Sequence, residues 1–251
     1  MLNTVATIQQ LFVYPVKSMR GVRLPEVFVS LNGIYGDRRY AFVQKRLADR
    51  SAFPWMTGRE QPRLVTYQPR LSRVPTREDA DPPVYVRAPD REEFPVDDPR
   101  LLQRLEADGH AELFLLKNAR GNYDTQHLSI FNLCTLQALE LESHSCIDVR
   151  QFRPNLIVEG INGRPFEEEE WLGAVAQVGE AVVAVTKKDT RCMMINLDPE
   201  SGTQHPEVLR ALTRLHDQQA GIYANVISPG IVREGDVIRI IGTTKVTDDA
   251  D

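Results

Sequence analysis

At 251 residues the chain is long enough for one large β unit or two domains of roughly 100 to 150 residues, and 42% hydrophobic with 26% charged residues is a globular composition, not a disordered one. The formal net charge of −5 argues against a broad nucleic-acid-binding face and leaves room for a local basic pocket that holds a phosphate. No apolar run approaches the roughly 20 residues that span a bilayer, and MLNTVATIQQLFVYPVK alternates where a secretory peptide has a basic and then an apolar region, so the expected setting is the cytoplasm without a membrane partner.

Ile8 to Val13 and Glu26 to Val29 read as short strands around a Pro/Gly-containing turn, and Arg39 to Gln44 reads as another after the Gly36-Asp37 turn. Leu64 to Gln68 and Val84 to Arg87 add two strands, separated by Arg70 to Pro83, whose Pro, Arg and Asp content predicts an exposed connection. Pro99 to Asp108 has the charge and leucine spacing of a short helix. In residues 129–142, SIFNLCTLQALELE, apolar side chains at Leu133, Leu136, Leu139 and Leu141 form a helical stripe, with Ser129 or Asn132 as N-cap. Leu156 to Glu159, Ala174 to Val178 and Ala181 to Lys187 are β segments. Between them Glu167 to Glu170 reads as a solvated helix start, because like charges in sequence repel. Met193 to Leu197 reads as a short apolar strand entering the turn Asp198-Pro199-Glu200-Ser201-Gly202. A helix over Pro206 to His216 and strands at Tyr223 to Ile227 and Asp236 to Ile241 complete the chain. Many short strands with about three helices predict a mainly β, barrel-containing fold rather than a doubly wound parallel sheet.

Three cysteines, Cys134, Cys146 and Cys192, are too few and too irregular for a disulfide framework, and no Cys-x-x-Cys or His-x-x-x-His spacing supports zinc or an iron–sulfur cluster. Cys134 and Cys146 read as packing or loop residues. Cys192 follows Lys187, Lys188 and Arg191, and positive charge favours the thiolate that serves as nucleophile or metal ligand; it either packs or reacts. In YPVKSMRG, Lys17, Ser18 and Arg20 supply donors suited to a phosphate, or form a solvated basic turn. In QFRPN, Pro154 is expected to hold Arg153 in extended backbone. Arg153 and Asn155 then offer a planar cation and a donor–acceptor amide, to a ligand or to a surface ion pair. The arginines of GDRRY and TGREQPRL read singly as solvated surface.

These pieces stand in one order: YPVKSMRG, GDRRY, TGREQPRLV, DTQHLSI, FRPNLIVEG, DTRCMMINLDPESG and GIYANVISPGIVREGD. In that order the chain resembles the MOSC family from about Ile8 to Ile241. The likeness is to its two-part proteins, of the bacterial YcbX and mitochondrial amidoxime-reducing types, which join a β-rich MOSC N-terminal domain to the MOSC domain. The resemblance implies domains at about 1–103 and 104–242, a flexible tail at 243–251, and a pocket where the domains meet. It also implies a molybdenum cofactor, the metal bound to one molybdopterin and to the cysteine matched by Cys192. Cofactor contacts fall on positions matching Lys17, Ser18, Arg38, Thr125, Arg153, Asn155, Thr190, Arg191 and Tyr223. The chain departs from mitochondrial relatives at Met19, where they often have Cys, and at Gln126 and His127, where they have Ser-Pro.

The activity implied is reduction of small N-hydroxylated compounds such as hydroxylamines, amidoximes and N-hydroxylated bases, with electrons from a separate flavin or iron–sulfur reductase. Asp198 and His127 are candidate proton donors. Two other readings stay open: a carrier that holds persulfide sulfur or the cofactor on Cys192, and a non-catalytic module for a phosphorylated ligand with Cys192 buried.

Overall fold

The computed structural model describes residues 3–243. The chain opens with β1 (Asn3–Val13), β2 (Val22–Arg23), β3 (Glu26–Ser30), β4 (Gly33–Ile34) and β5 (Tyr40–Gln44). A meander, β6 (Gln68–Leu71), β7 (Val84–Arg87) and β8 (Glu93–Pro95), leads to α1 (Pro99–Gly109) and β9 (Leu113–Lys117). β10 (Leu128–Asn132), α2 (Leu133–Ser143) and β11 (Leu156–Gly160) follow, then the hairpin β12 (Ala174–Val178) and β13 (Ala181–Thr190). α3 (Pro206–His216), β14 (Gln219–Ser228), β15 (Gly230–Arg233) and β16 (Val237–Thr243) end the described chain.

Seven strands close into a barrel in the order β11, β10, β14, β13, β12, β16, β1, with β1 pairing back onto β11. Closure leaves no unpaired edge in the ring. Every neighbouring pair is antiparallel except β10 and β11, which run parallel and are joined through α2. The interior follows the period of two: Val183 and Val185 are buried on β13 between half-buried Val182 and Ala184, as Ala6 and Ile8 are on β1. A second core, with Phe131, Leu139, Phe152, Ile195, Val208 and Leu212, packs α2 and α3 against one side.

Strands cross between the two ends of the sequence. β1 belongs to the barrel, while β15 leaves the C-terminal region to pair with β3. The division expected at 103/104 falls inside α1, and the expected tail begins at Thr243, the last residue of β16; positions 244–251 lie outside the described residues. No helix among the described residues is long and apolar enough to cross a membrane.

The mainly β architecture with three α-helices among the described residues agrees with the sequence expectation, and Asn132 is the N-cap of α2, its side chain accepting from Cys134 N. Four local expectations are corrected. Leu64 to Gln68 is not a strand, because Pro62 starts a 3-10 helix over Pro62–Thr66 that buries Leu64, Val65 and Thr66 together; the strand begins at Gln68. Met193–Asn196 is also a 3-10 helix, whose Asn196 side chain turns to accept from Leu209 N in α3. Arg153 is not extended but left-handed, φ 52, because it caps the 3-10 helix Val149–Phe152 through its N–H to Arg150 O. The acidic run is only partly solvated: Glu167 and Glu168 are buried, and Glu168 accepts from Thr135 Oγ1 at 2.9 Å.

Leu156, fully buried on β11, faces Leu11 of β1 and Ile130 of β10 at the seam that closes the barrel. Leu156→Ala is expected to lower unfolding stability by about 2–5 kcal/mol, seen as a lower urea midpoint at unchanged m.

Candidate functional site

One cavity of about 170 Å³ lies between the N-terminal segments and the barrel, and its wall includes Lys17, Ser18, Arg38, Thr125, Arg153, Thr190, Arg191, Cys192 and Tyr223. Those nine of the ten expected site residues are brought together. The tenth, Asn155, is 1% exposed and does not line the cavity. Its amide donates to Phe12 O and Asp37 Oδ2, both at 3.1 Å, and accepts from Ser129 N at 3.2 Å, so it is a bracket behind the wall.

Three wall residues, Ser18 (φ 64), Arg38 (φ 50) and Arg153 (φ 52), hold left-handed backbone without being glycine. Such strain persists only where the surroundings enforce it, and it concentrates at ligand sites. Tyr14 supplies part of that enforcement. Fully buried, it donates its hydroxyl to Pro154 O at 3.1 Å and lies under both guanidiniums, 4.3 Å from Arg153 and 5.0 Å from Arg38. Arg38 is ion-paired with buried Asp37 and donates to Arg153 O at 3.2 Å; Arg153 donates to Met19 O at 2.6 Å. Burial and the neighbouring Arg38 pull Arg153 down to about 10, which leaves it charged at neutral pH.

Lys17 is buried against the same wall, its ammonium donating to Asn122 O at 2.7 Å and Asp124 Oδ1 at 2.8 Å and lying 4.3 Å over the Trp55 ring. Burial pulls it down to about 8, against the opposing pull of Asp124. On the barrel side Arg191 is 6% exposed. Nε donates to Ala220 O and Nη1 to Phe152 O, each at 2.7 Å, while buried Nη2 has no hydrogen-bond partner among the described residues. Nη1 also lies 2.8 Å from Asp189 Oδ2, off the hydrogen-bonding direction, so that oxygen receives no donor. Gly221 (φ +78) makes room for the guanidinium, since a Cβ there would lie 2.9 Å from Nη2. Burial drives Asp189 above the usual carboxylate range, and burial with the Asp189 charge pushes Tyr223 up to about 12.

Cys192 is half-buried at the N-terminus of the 3-10 helix Met193–Asn196, and Gln151 Nε2 pins that helix through Ile195 O at 2.7 Å. Arg59 Nη2 stands 3.4 Å from its sulfur. Sequence reasoning took Arg59 for solvated surface; its only signal was membership of the ordered TGREQPRLV piece. Asp124, Ser129, Gln151 and Asp189 also line the cavity and carried no distinctive local pattern. Cys134 is half-buried and Cys146 exposed, each away from this wall. The two candidate proton donors are elsewhere: Asp198 accepts from Glu200 N and Ser201 N to build its turn, and His127 packs edge-on to Tyr123.

The MOSC N-terminal beta barrel domain family matches residues 5–125 and the MOSC domain family residues 118–239. The chain is a MOSC protein. It is 23% identical to Mitochondrial amidoxime-reducing component 1 of Mus musculus, over 96% of this chain and 84% of that one. It is 26% identical to the Molybdenum cofactor sulfurase of Drosophila grimshawi, over 85% of this chain and 31% of that protein, so it spans about a third of the sulfurase. Among solved structures, the YUAD protein from Bacillus subtilis shares the fold with a TM-score of 0.52 at 14% identity, covering 96% of this chain and 99% of that chain.

Two outcomes test the geometry of this MOSC pocket. Asn155→Ala is expected to cost about 1–3 kcal/mol of stability in urea titration, because buried groups lose their partners. Lys17 has its folded pKa depressed from 10.5 to about 8, so between those values the unfolded chain binds the extra proton and this group alone raises stability with pH. Its hold on an anion runs the other way: sulfate affinity is expected to fall as pH rises through about 8, and this fall to be lost in Lys17→Met, measured by calorimetry.

Proposed function

We propose that the protein is a molybdenum-cofactor-binding oxidoreductase component that reduces small N-hydroxylated compounds with electrons from a separate flavin or iron–sulfur reductase. The observation that carries this reading is the meeting of one half-buried cysteine with five cations, Lys17, Arg38, Arg59, Arg153 and Arg191, around a single cavity. A soft thiolate beside a strongly cationic wall suits a metal held together with an anionic organic group. The orphaned Nη2 of Arg191 and the orphaned hydroxyl of Ser129 are buried donors that an anion-bearing cofactor would satisfy.

In this reading Cys192 Sγ is the protein ligand to molybdenum. Lys17, Arg38, Arg153 and Arg191 hold the phosphate and pterin, with the hydroxyls of Ser18, Thr125 and Thr190 and the phenol of Tyr223 around them; Asn155 holds the wall in place. When bound, the cofactor supplies the two-electron chemistry that cleaves N–O. Converting an N-hydroxyl to an amine and water consumes two electrons and two protons. Asp189, buried and ion-paired with Arg191 Nη1 at 2.8 Å, holds that guanidinium in the wall; burial drives its carboxyl up and Arg191 opposes the shift. Tyr223 beside it orients that carboxyl. Arg59 Nη2, 3.4 Å from Cys192 Sγ, would offset the charge of a metal-bound sulfur. The cytoplasmic setting expected from the sequence belongs to this proposal, although three relatives are named mitochondrial.

The carrier reading keeps support from the likeness to a protein named Molybdenum cofactor sulfurase. Metal content and turnover separate the two. Expressed in a host that makes the cofactor, wild type is expected to hold stoichiometric molybdenum and pterin, and Cys192→Ser to lose most of the molybdenum while keeping its circular dichroism; equal molybdenum in both removes the proposal. The loaded protein is expected to turn over hydroxylamine with reduced viologen and not with NADH alone, whereas a carrier would load and transfer without turnover.

A further inference from the structure

β5 ends at Gln44, and the chain then leaves the fold for ten residues before Trp55 bridges back to Val43. The excursion is clamped at its base, with Gln44 N donating to Pro54 O at 2.9 Å and Met56 N to Phe42 O at 2.8 Å. On it, Lys45, Arg46, Asp49 and Arg50 surround an open hollow. Arg46 is steadied by Gln44 Oε1, at 3.1 and 3.3 Å, which orients the guanidinium without neutralising it. Arg50 has no side-chain partner among the described residues. Lys45 faces exposed Glu112 at 3.7 Å, a pairing that water largely cancels. Segment 45–53 therefore carries three cations and one acid on a chain of net charge −5.

At its far end Phe53 is 54% exposed and meets Trp55 edge-on at 5.6 Å. Trp55 in turn lies under Lys17 Nζ at 4.3 Å, and Lys17 is cavity wall. Two residues further, Thr57 lines the cavity, and Arg59 stands against Cys192. One stretch of fifteen residues, 45–59, thus runs from a basic surface with an exposed aromatic ring to the sulfur itself.

We propose that the loop Lys45–Phe53 is the docking surface for a small acidic redox protein, which sets its redox group against Phe53 and Trp55, behind Lys17 of the cavity wall. The proposal rests on the reading of the cavity as a redox centre. Charge complementarity selects the occupant: an acidic protein is repelled by the average surface of this chain and attracted here, which orients a short-lived encounter. Phe53 provides the aromatic anchor that such contacts centre on.

The test uses the full chain with two probes, an acidic [2Fe–2S] ferredoxin and an acidic flavodoxin, and the variants Arg46→Glu/Arg50→Glu and Phe53→Ser, none of which is in the cavity wall. Calorimetry at low ionic strength is expected to show at least one probe binding wild type. Affinity should fall about tenfold or more in the charge reversal and about threefold or more in Phe53→Ser, with the wild-type signal lost at high salt. In the loaded protein, turnover driven by the bound probe should fall in parallel, while turnover driven by reduced viologen stays within about twofold of wild type. Binding of neither probe, binding unchanged in the charge reversal, or tighter binding of a single-stranded oligonucleotide at the same residues overturns the proposal. Absence of viologen-driven turnover in wild type overturns the redox reading instead, and the calorimetric arms still decide where an acidic protein docks.

Discussion

The carboxylate of Asp37 is the point on which the pocket depends. It is 1% exposed, and a charge taken that far out of water is tolerable only with close donors on its oxygens. Two distant segments and the next residue supply them: Tyr14 N at the end of β1 at 2.7 Å, Asn155 Nδ2 before β11 at 3.1 Å, and the guanidinium of Arg38. Satisfying Asp37 thereby sets the relative position of the two arginines that enclose Tyr14. The left-handed backbone at Arg38 belongs to this arrangement, and Arg153 reaches the same place from the cap of the 3-10 helix before it.

Exchange of strands makes that arrangement durable. β1 closes the barrel although it opens the chain, and β15 pairs with β3 although it comes near the other end. A wall built from both halves then cannot open by simple separation of a front and a back unit, since ladder hydrogen bonds would break with it. The parallel contact of β10 and β11 through α2 adds a second constraint. It brings Phe131, Phe152 and Ile195 into one core beneath the helix that carries Cys192.

Much of this was legible in the sequence, for physical reasons that differ by element. The strand begun at Ala181 and the helix Pro206 to His216 depend on local burial and could be read directly. The cavity residues could be assembled only through the order of short motifs, because no single stretch brings more than a few of them near one another. Where reading failed, a contact outside the motif overrode the pattern read from it. Arg153 is left-handed because of the 3-10 turn before it, and Glu168 is buried because Thr135 on α2 meets it. Asn155 belongs to the right motif and points into the protein, a distinction that side-chain direction makes and composition does not.

The buried guanidinium of Arg191 has a consequence for the life of the protein outside any reaction. Two of its nitrogens are held by backbone carbonyls and the third has no hydrogen-bond partner among the described residues, so an anion bonded to it would offset part of the cost of burying the charge. Whatever fills that place stabilises the folded state by mass action. Molecules with an anion bound there would outlast those without one wherever unfolded chains are cleared by proteolysis.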